Sequence, residues 1–313
     1  LQFSKKHGVT IAAGKAVFSD ALKFNLAPLS RITITINYRK APKEPTVHMG
    51  SRTTSYILRG ISTPNTNFSK AFKEDHWFNI SGIDVYDPTA SSIAILGNSI
   101  TDGKGSTNNA QNRWPDFMSE IMNANPEKDP AKKDWTGVLN LGIGNNRILS
   151  VGLGEPGRIR FDRDILEQRG LRAVIIFEAI NDIGTSKAPD ETSRQLIEAY
   201  HVMISKAKAR GLKVYMGTIT PFRGCKSYFT EEREKARKVV NDWIRTTKEI
   251  DGFIDFDALM RDPSEPEQLR KEWQSGDWLH PNPDGYKMMG EFAAKQLSKQ
   301  ATPGNGFSTV TVR

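Results

Sequence analysis

Four short stretches of the chain hold residue types that could do chemistry together. Gly97-Asn98-Ser99-Ile100-Thr101-Asp102-Gly103 puts a serine two residues after a strand-ending glycine, on a strand-to-helix turn where its hydroxyl is exposed near helix-terminal N–H groups. A serine there also caps helices, which is the plainer reading of an isolated one. Gly142-Ile143-Gly144-Asn145-Asn146-Arg147 is a glycine-containing loop whose backbone N–H groups could point into a cleft, or simply a tight turn. Glu178-Ala179-Ile180-Asn181-Asp182 offers the Asn181 side-chain N–H at a strand end, or a local backbone bond. Asp277-Trp278-Leu279-His280-Pro281 spaces a carboxylate and an imidazole three apart on a loop. A carboxylate on one ring nitrogen fixes the tautomer and stabilises the imidazolium. Taken in order, the set offers a serine nucleophile, oxyanion donors and an Asp–His base.

The elements that must position these groups follow from periodicity. Ile93–Leu96, Val138–Leu141, Ala173–Phe177, Lys213–Gly217 and Phe253–Phe256 are short apolar runs. Helical segments Trp114–Asn123, Phe161–Gln168, Thr192–Arg210, Glu231–Ile250 and Asp284–Lys299 separate or follow them. Apolar strands alternating with amphipathic helices imply a parallel sheet covered on both faces. In such sheets, sites form beyond the carboxyl ends of the strands, and the first three candidate stretches begin at strand ends. Residues 1–88 read differently. Arg31–Tyr38 alternates with period two and is rich in β-branched residues, and Gly8–Ile11, Lys23–Leu26, Ser55–Leu58 and Trp77–Val85 are shorter strand candidates. The expected organisation is a β-rich accessory domain at 1–88, a catalytic domain at 91–300 and a tail at 301–313, whose Phe307–Arg313 stretch has β character.

Composition narrows the function classes. The 313 residues are 37% hydrophobic and 26% charged, an ordinary globular balance. No apolar run approaches the roughly 20 residues that span a bilayer. The basic residues behind the net charge of +8 run no longer than pairs such as Lys5-Lys6 and Lys132-Lys133, whereas a nucleic-acid binder shows a dense basic stripe. Cys225 is the single cysteine, so an intramolecular disulfide framework and a cysteine-built zinc site are excluded. The first residues lack the charged start and apolar core of a signal peptide.

These blocks, in this order, resemble the SGNH or GDSL hydrolase superfamily over roughly residues 91–299. The chain looks closest to bacterial secreted members with a β-rich domain ahead of the catalytic one. His76-Trp77, Ile83-Asp84-Val85 and Asn112-Arg113-Trp114-Pro115 are similar to that branch. The resemblance implies an α/β fold, a three-layer α/β/α flavodoxin-like parallel sheet, with a smaller N-terminal β-sandwich-like domain. It implies Ser99 as nucleophile, His280 as general base and Asp277 as its orienting partner. The oxyanion hole would use the N–H of Ser99, the N–H of Asn145 or Gly144, and the Asn181 side chain. Arg113, Trp114, Arg147, Glu178 and Trp278 are expected to meet the substrate. No metal or organic cofactor is implied. The expected partner is an ester, an acylated oligo- or polysaccharide, handled in a secreted or periplasmic setting, with the oligomeric state left open.

Three positions depart from the family pattern: Asn98 in place of Asp, Asn145 in place of Gly, and Ala179 in place of Gly. Alternatives stay open at this point. They are a general carboxylesterase or lipase-type esterase, a degenerate hydrolase that only binds glycan, and metal-dependent phosphoesterase chemistry from Asp102, Asp182, Asp277 and His280.

Overall fold

The computed structural model describes residues 1–60, 66–123 and 135–300. The tail at 301–313, with its expected β stretch, lies outside the described residues. The chain divides into two compact units, Leu1–Ile34 and Thr35–Arg313.

Five parallel strands form the centre of the larger unit: β5 (Ser91–Gly97), β6 (Thr136–Gly142), β7 (Leu171–Phe177), β8 (Lys213–Gly217) and β9 (Gly252–Ile254). Their order is β6-β5-β7-β8-β9, the doubly wound arrangement in which the chain reverses direction across β5. β5 and the central β7 read as continuous apolar runs because helices cover both faces of the sheet. Ile95, Leu96, Val174, Ile175 and Ile176 are fully buried. Burying each such side chain is worth about 1.5–3 kcal/mol, so the strand ends that carry the candidate loops are held by the most stable part of the molecule.

The helices of this unit are α1 (Ser99–Asp102), α2 (Trp114–Met122), α3 (Gly157–Phe161), α4 (Ile180–Gly184), α5 (Pro189–Ala209), α6 (Glu231–Thr246), α7 (Phe256–Met260) and α8 (Pro283–Gln300). The helix expected at Phe161–Gln168 is instead α3 followed by a π-helical turn, Asp162–Leu166. Arg160 lies on α3 just ahead of this turn. Its guanidinium reaches across to the Gly97 and Leu141 carbonyls and to Asn146 Oδ1, at 3.1, 2.9 and 2.9 Å. One buried side chain thus ties the ends of β5 and β6 together.

β structure ahead of the sheet takes the form of two small antiparallel pairs. β1 (Val47–His48) pairs with β4 (Trp77–Phe78), and β2 (Ser55–Ile57) pairs with β3 (Phe72–Glu74). The candidates at 8–11, 23–26 and 31–38 join no ladder among the described residues. Their alternation provides an apolar face that the described residues leave largely open: Ile32 and Ile34 are 40% and 37% exposed. A strand pattern alone does not make a strand when no second layer buries it. Within the small unit, order comes from Asp20, whose carboxylate accepts the N–H groups of Ser4 and Lys5 at 2.8 and 2.7 Å.

Candidate active site

The doubly wound order places the loops after β5, β6 and β7 side by side, and α8 brings up the loop before it. Asn98 caps α1, its Oδ1 accepting the Ile100 N–H at 3.0 Å, which fixes Ser99 as the first helical residue. Ser99 Oγ lies 2.8 Å from His280 Nε2. On the other side of the ring, His280 Nδ1 lies 2.6 Å from Asp277 Oδ2. Asp277 Oδ1 also accepts the backbone N–H groups of Leu279 and His280, at 3.0 and 2.9 Å. Partial burial pushes the Asp277 carboxyl upward, but the His280 ring and N–H outweigh it and hold it well below the usual carboxylate range. A hydroxyl, an imidazole and an ionised carboxylate therefore stand in one line, spaced for proton transfer from the hydroxyl.

The loop after β6 and the residues after β7 flank this line. Asn145 has φ of 54°, in the left-handed region that asparagine tolerates better than other non-glycine residues. Its neighbours are locked by Asp182, which accepts the Ile148 and Leu149 N–H groups, both at 2.9 Å. Burial pushes the Asp182 carboxyl up to about 6. Asn181 donates Nδ2 to the Asn146 carbonyl at 2.8 Å and accepts the Tyr228 hydroxyl on Oδ1 at 2.7 Å. The amide nitrogen is thereby turned toward the β6 loop. Ala179, just before α4, has φ of 93°. This is the left-handed conformation that glycine enters freely and alanine does not.

Behind the serine turn sits Glu178, 2% exposed. Its Oε2 accepts Asn98 Nδ2 and the Ala179 N–H, both at 3.2 Å. Oε1 has no hydrogen-bond partner, and Arg160 stands 4.0 Å away. Burial pushes the Glu178 carboxyl up to about 8. The Asn98 departure has its physical reason here. An aspartate at 98 would face Glu178 as a second buried carboxylate, whereas the asparagine donates to it.

Comparison with known proteins fits this geometry. A model of the GDSL-like Lipase/Acylhydrolase family matches residues 95–288. The chain belongs to that family. Among solved structures, a carbohydrate acetylesterase family member from Sinorhizobium meliloti aligns with a TM-score of 0.51 at 11% identity, covering 67% of this chain and 98% of that one. The aryl esterase of M. smegmatis aligns with a TM-score of 0.50 at 13% identity, covering 67% and 99%. At these identities the likeness is one of fold. A search of curated proteins gives no match.

Several residues expected at the substrate of this GDSL-family chain are placed elsewhere. Trp114 is fully buried, donating to Thr101 Oγ1 at 3.3 Å and packing edge-on to Phe256 with ring centroids 5.3 Å apart. Its position at the start of an amphipathic helix makes it core. Arg113 is 7% exposed and spends its guanidinium on the Asp102 and Ser51 carbonyls, Gln111 and Asp116. Glu178 is buried beneath the serine turn, as described. These three are framework, not cleft. Arg147 and Trp278 are partly exposed near the site. Arg147 binds the carbonyls of Asn181 and Val151, and Trp278 lies over Gly224. Of the four groups weighed for metal chemistry, Asp182 is taken by the loop N–H groups, Asp102 by His48 and Asp277 by His280. No group of three or more His, Cys, Asp or Glu among the described residues is placed to hold a metal ion. No helix among them is long and apolar enough to cross a membrane.

Sequence reasoning missed Tyr228 and His48. Tyr228 lies over Gly184, where any Cβ would overlap its ring. That close approach has no signature in the Tyr228 neighbourhood itself. His48 Nε2 bonds Asp102 Oδ1 at 2.6 Å, across 54 residues of chain.

Proposed function

We propose that the protein is a serine ester hydrolase that removes small acyl groups, acetyl above all, from carbohydrate outside the cytoplasm. The observation that carries this reading is the Ser99 Oγ to His280 Nε2 bond of 2.8 Å, backed by the Asp277 bond to the far ring nitrogen. His280 takes the proton as Ser99 attacks the ester carbonyl. The tetrahedral oxyanion is received by the N–H of Ser99, the N–H of Asn145 or Gly144, and Asn181 Nδ2. Each such donor is worth about 10²–10³ in rate. Asp277 stabilises the imidazolium, which then protonates the leaving alcohol. In the second half His280 activates a water that releases the acyl group from Ser99.

A fluorophosphonate probe tests the nucleophile. It is expected to label Ser99, with labelling and p-nitrophenyl acetate hydrolysis both lost in Ser99→Ala. Activity surviving that change overturns the assignment.

A general carboxylesterase is the second reading, and one observation favours it. Val151 and Leu153 are 70% and 75% exposed on the loop after β6. Leu153 Cδ1 lies 3.7 Å from where Gly144 would carry a Cβ. Such an apolar rim suits a longer acyl chain. A chain-length series of p-nitrophenyl esters run beside acetylated oligosaccharides separates the two. Rates that rise with acyl length, with no acetate released from glycan, select the second.

A further inference from the structure

We propose that His48 and Trp77, delivered by the β1–β4 pair, form a binding subsite for a pyranose ring beside Ser99. This deepens the esterase reading and rests on it for the chemistry, though not for the binding.

Placement comes first. Ser99 and Asp102 lie three residues apart on α1, and such pairs stand on one face of a helix. Asp102 Oδ2 lies 3.7 Å from where Gly144 would carry a Cβ, so its carboxylate borders the loop after β6. His48 Nε2 bonds the other oxygen at 2.6 Å. The β1–β4 register sets Trp77 directly opposite His48, with ring centroids 6.0 Å apart and the planes at 73°. Nucleophile, Asp102, His48 and Trp77 thus form a continuous series running from the triad onto the front hairpin.

The chemistry of the pair is that of sugar recognition. His48 Nε2 is engaged by Asp102 Oδ1, which leaves Nδ1 as the ring nitrogen that can meet a sugar hydroxyl. Asp102 is 4% exposed at its side chain but His48 is 37% exposed, so the imidazole covers the carboxylate and keeps a face to solvent. Trp77 is 43% exposed, a large ring that the core does not claim. An indole surface packs on the apolar face of a pyranose, and an oriented imidazole nitrogen hydrogen-bonds a ring hydroxyl.

The hairpins are also fixed in place, as a specificity wall must be. Gly50 approaches the Asp102 carboxylate so closely that any Cβ there would overlap it. Arg113 binds the Ser51 carbonyl, Thr54 N–H bonds Asn109 Oδ1 at 2.8 Å, and Gln111 Nε2 bonds Thr53 Oγ1 at 2.9 Å. Asp75 accepts from Thr54 Oγ1 and from Asn108 Nδ2, at 3.0 and 2.5 Å.

The test compares kcat/KM on acetylated xylobiose, cellobiose and mannobiose with kcat/KM on p-nitrophenyl acetate, in the wild type, Trp77→Ala, Trp77→Phe and His48→Ala. The ratio is expected to fall about tenfold in Trp77→Ala and His48→Ala, chiefly through KM for the saccharide, with Trp77→Phe between. A ratio that stays put, whether both activities fall together or neither does, overturns the subsite. Calorimetric binding of xylohexaose and cellohexaose keeps the two readings distinguishable. If the wild type labels with fluorophosphonate but neither deacetylates nor binds any of these saccharides, the subsite fails while the esterase reading stands. If it hydrolyses nothing yet binds saccharide, and Trp77→Ala abolishes that binding, the subsite stands while the esterase reading fails.

Discussion

The Tyr228 hydroxyl donates to Asn181 Oδ1 at 2.7 Å while Asn181 Nδ2 donates to the Asn146 carbonyl at 2.8 Å, and the two bonds together set which end of the Asn181 amide faces the loop after β6. Without the Tyr228 bond the amide is held at its nitrogen end alone, and its donor is less sharply aimed. Tyr228→Phe is therefore expected to lower kcat for p-nitrophenyl acetate by about tenfold with little change in KM, since only a bond realised in the transition state is weakened. Steady-state kinetics checks this; a pure KM effect would contradict it.

The triad makes a graded prediction. Ser99→Ala and His280→Ala are each expected to remove essentially all turnover, and Asp277→Asn to reduce kcat by about 10⁴ by presenting the wrong tautomer. Because Asp277 is held well below the usual carboxylate range, it stays ionised through mildly acid conditions. Protonation of Asp277 is therefore expected to cause no loss of rate above about pH 5. Single-turnover measurements between pH 5 and pH 9 provide the check.

Ala179 stores backbone strain at φ of 93°. Ala179→Gly is expected to raise stability by about 1 kcal/mol, the left-handed penalty for a Cβ less part of the extra chain entropy of glycine. Ala179→Val is expected to fall below the wild type, because a β-branched residue tolerates positive φ less well than alanine. Denaturant midpoints of the three proteins give the order directly.

Asn98 and Glu178 act as a donor–acceptor pair, so changing one alone should be harmful. Asn98→Asp, which restores the commoner family residue, is expected to destabilise the protein by about 2–4 kcal/mol at pH 9, where two buried charges would face each other, and by less at pH 6, where Glu178 keeps its proton. Adding Glu178→Gln should recover most of that loss. A double-mutant cycle measured by chemical unfolding reads the coupling.

Glu178 also predicts a pH dependence of stability. Its carboxyl is raised from 4.5 to about 8 by burial, so across that interval the folded state keeps a proton the unfolded state has released. Stability must then fall as pH rises through the interval and level off above it. Asp182, raised to about 6, adds a slope of the same sign at lower pH. Glu178→Gln is expected to flatten the Tm profile between pH 6 and pH 8 and to leave only the shallower Asp182 slope below pH 6. Scanning calorimetry at stepped pH is the measurement.

Much of the catalytic half was legible because its signals are local. β8 falls on the run Lys213–Gly217, and α2 starts at the expected Trp114. Continuous apolar runs bounded by glycine leave a parallel strand few alternatives. Ser99, His280 and Asp277 could be singled out because each sits at a strand end or before a helix, where chemistry and punctuation coincide. Other residues resisted. Trp114 and Arg113 look like cleft residues in a linear reading, yet one fills the core and the other satisfies carbonyls. Neither role follows without knowing what lies opposite. Glu178 immediately follows β7, the strand that leads to Asn181, and only the fold brings it under Asn98. Arg31–Tyr38 carries a clean strand pattern but lacks the covering layer that would turn pattern into ladder.

The contacts from Ser51, Thr53, Thr54 and Asp75 to the segment at 107–113 have a practical corollary. Trimming the gene to the Rossmann-like half would strand a guanidinium, a carboxylate and several amides whose partners had been cut away. The boundary that looks natural on paper, just before β5, is therefore a poor place for scissors; a shortened version begun there should express as aggregate, while one begun ahead of β1 should remain soluble and able to react with the probe.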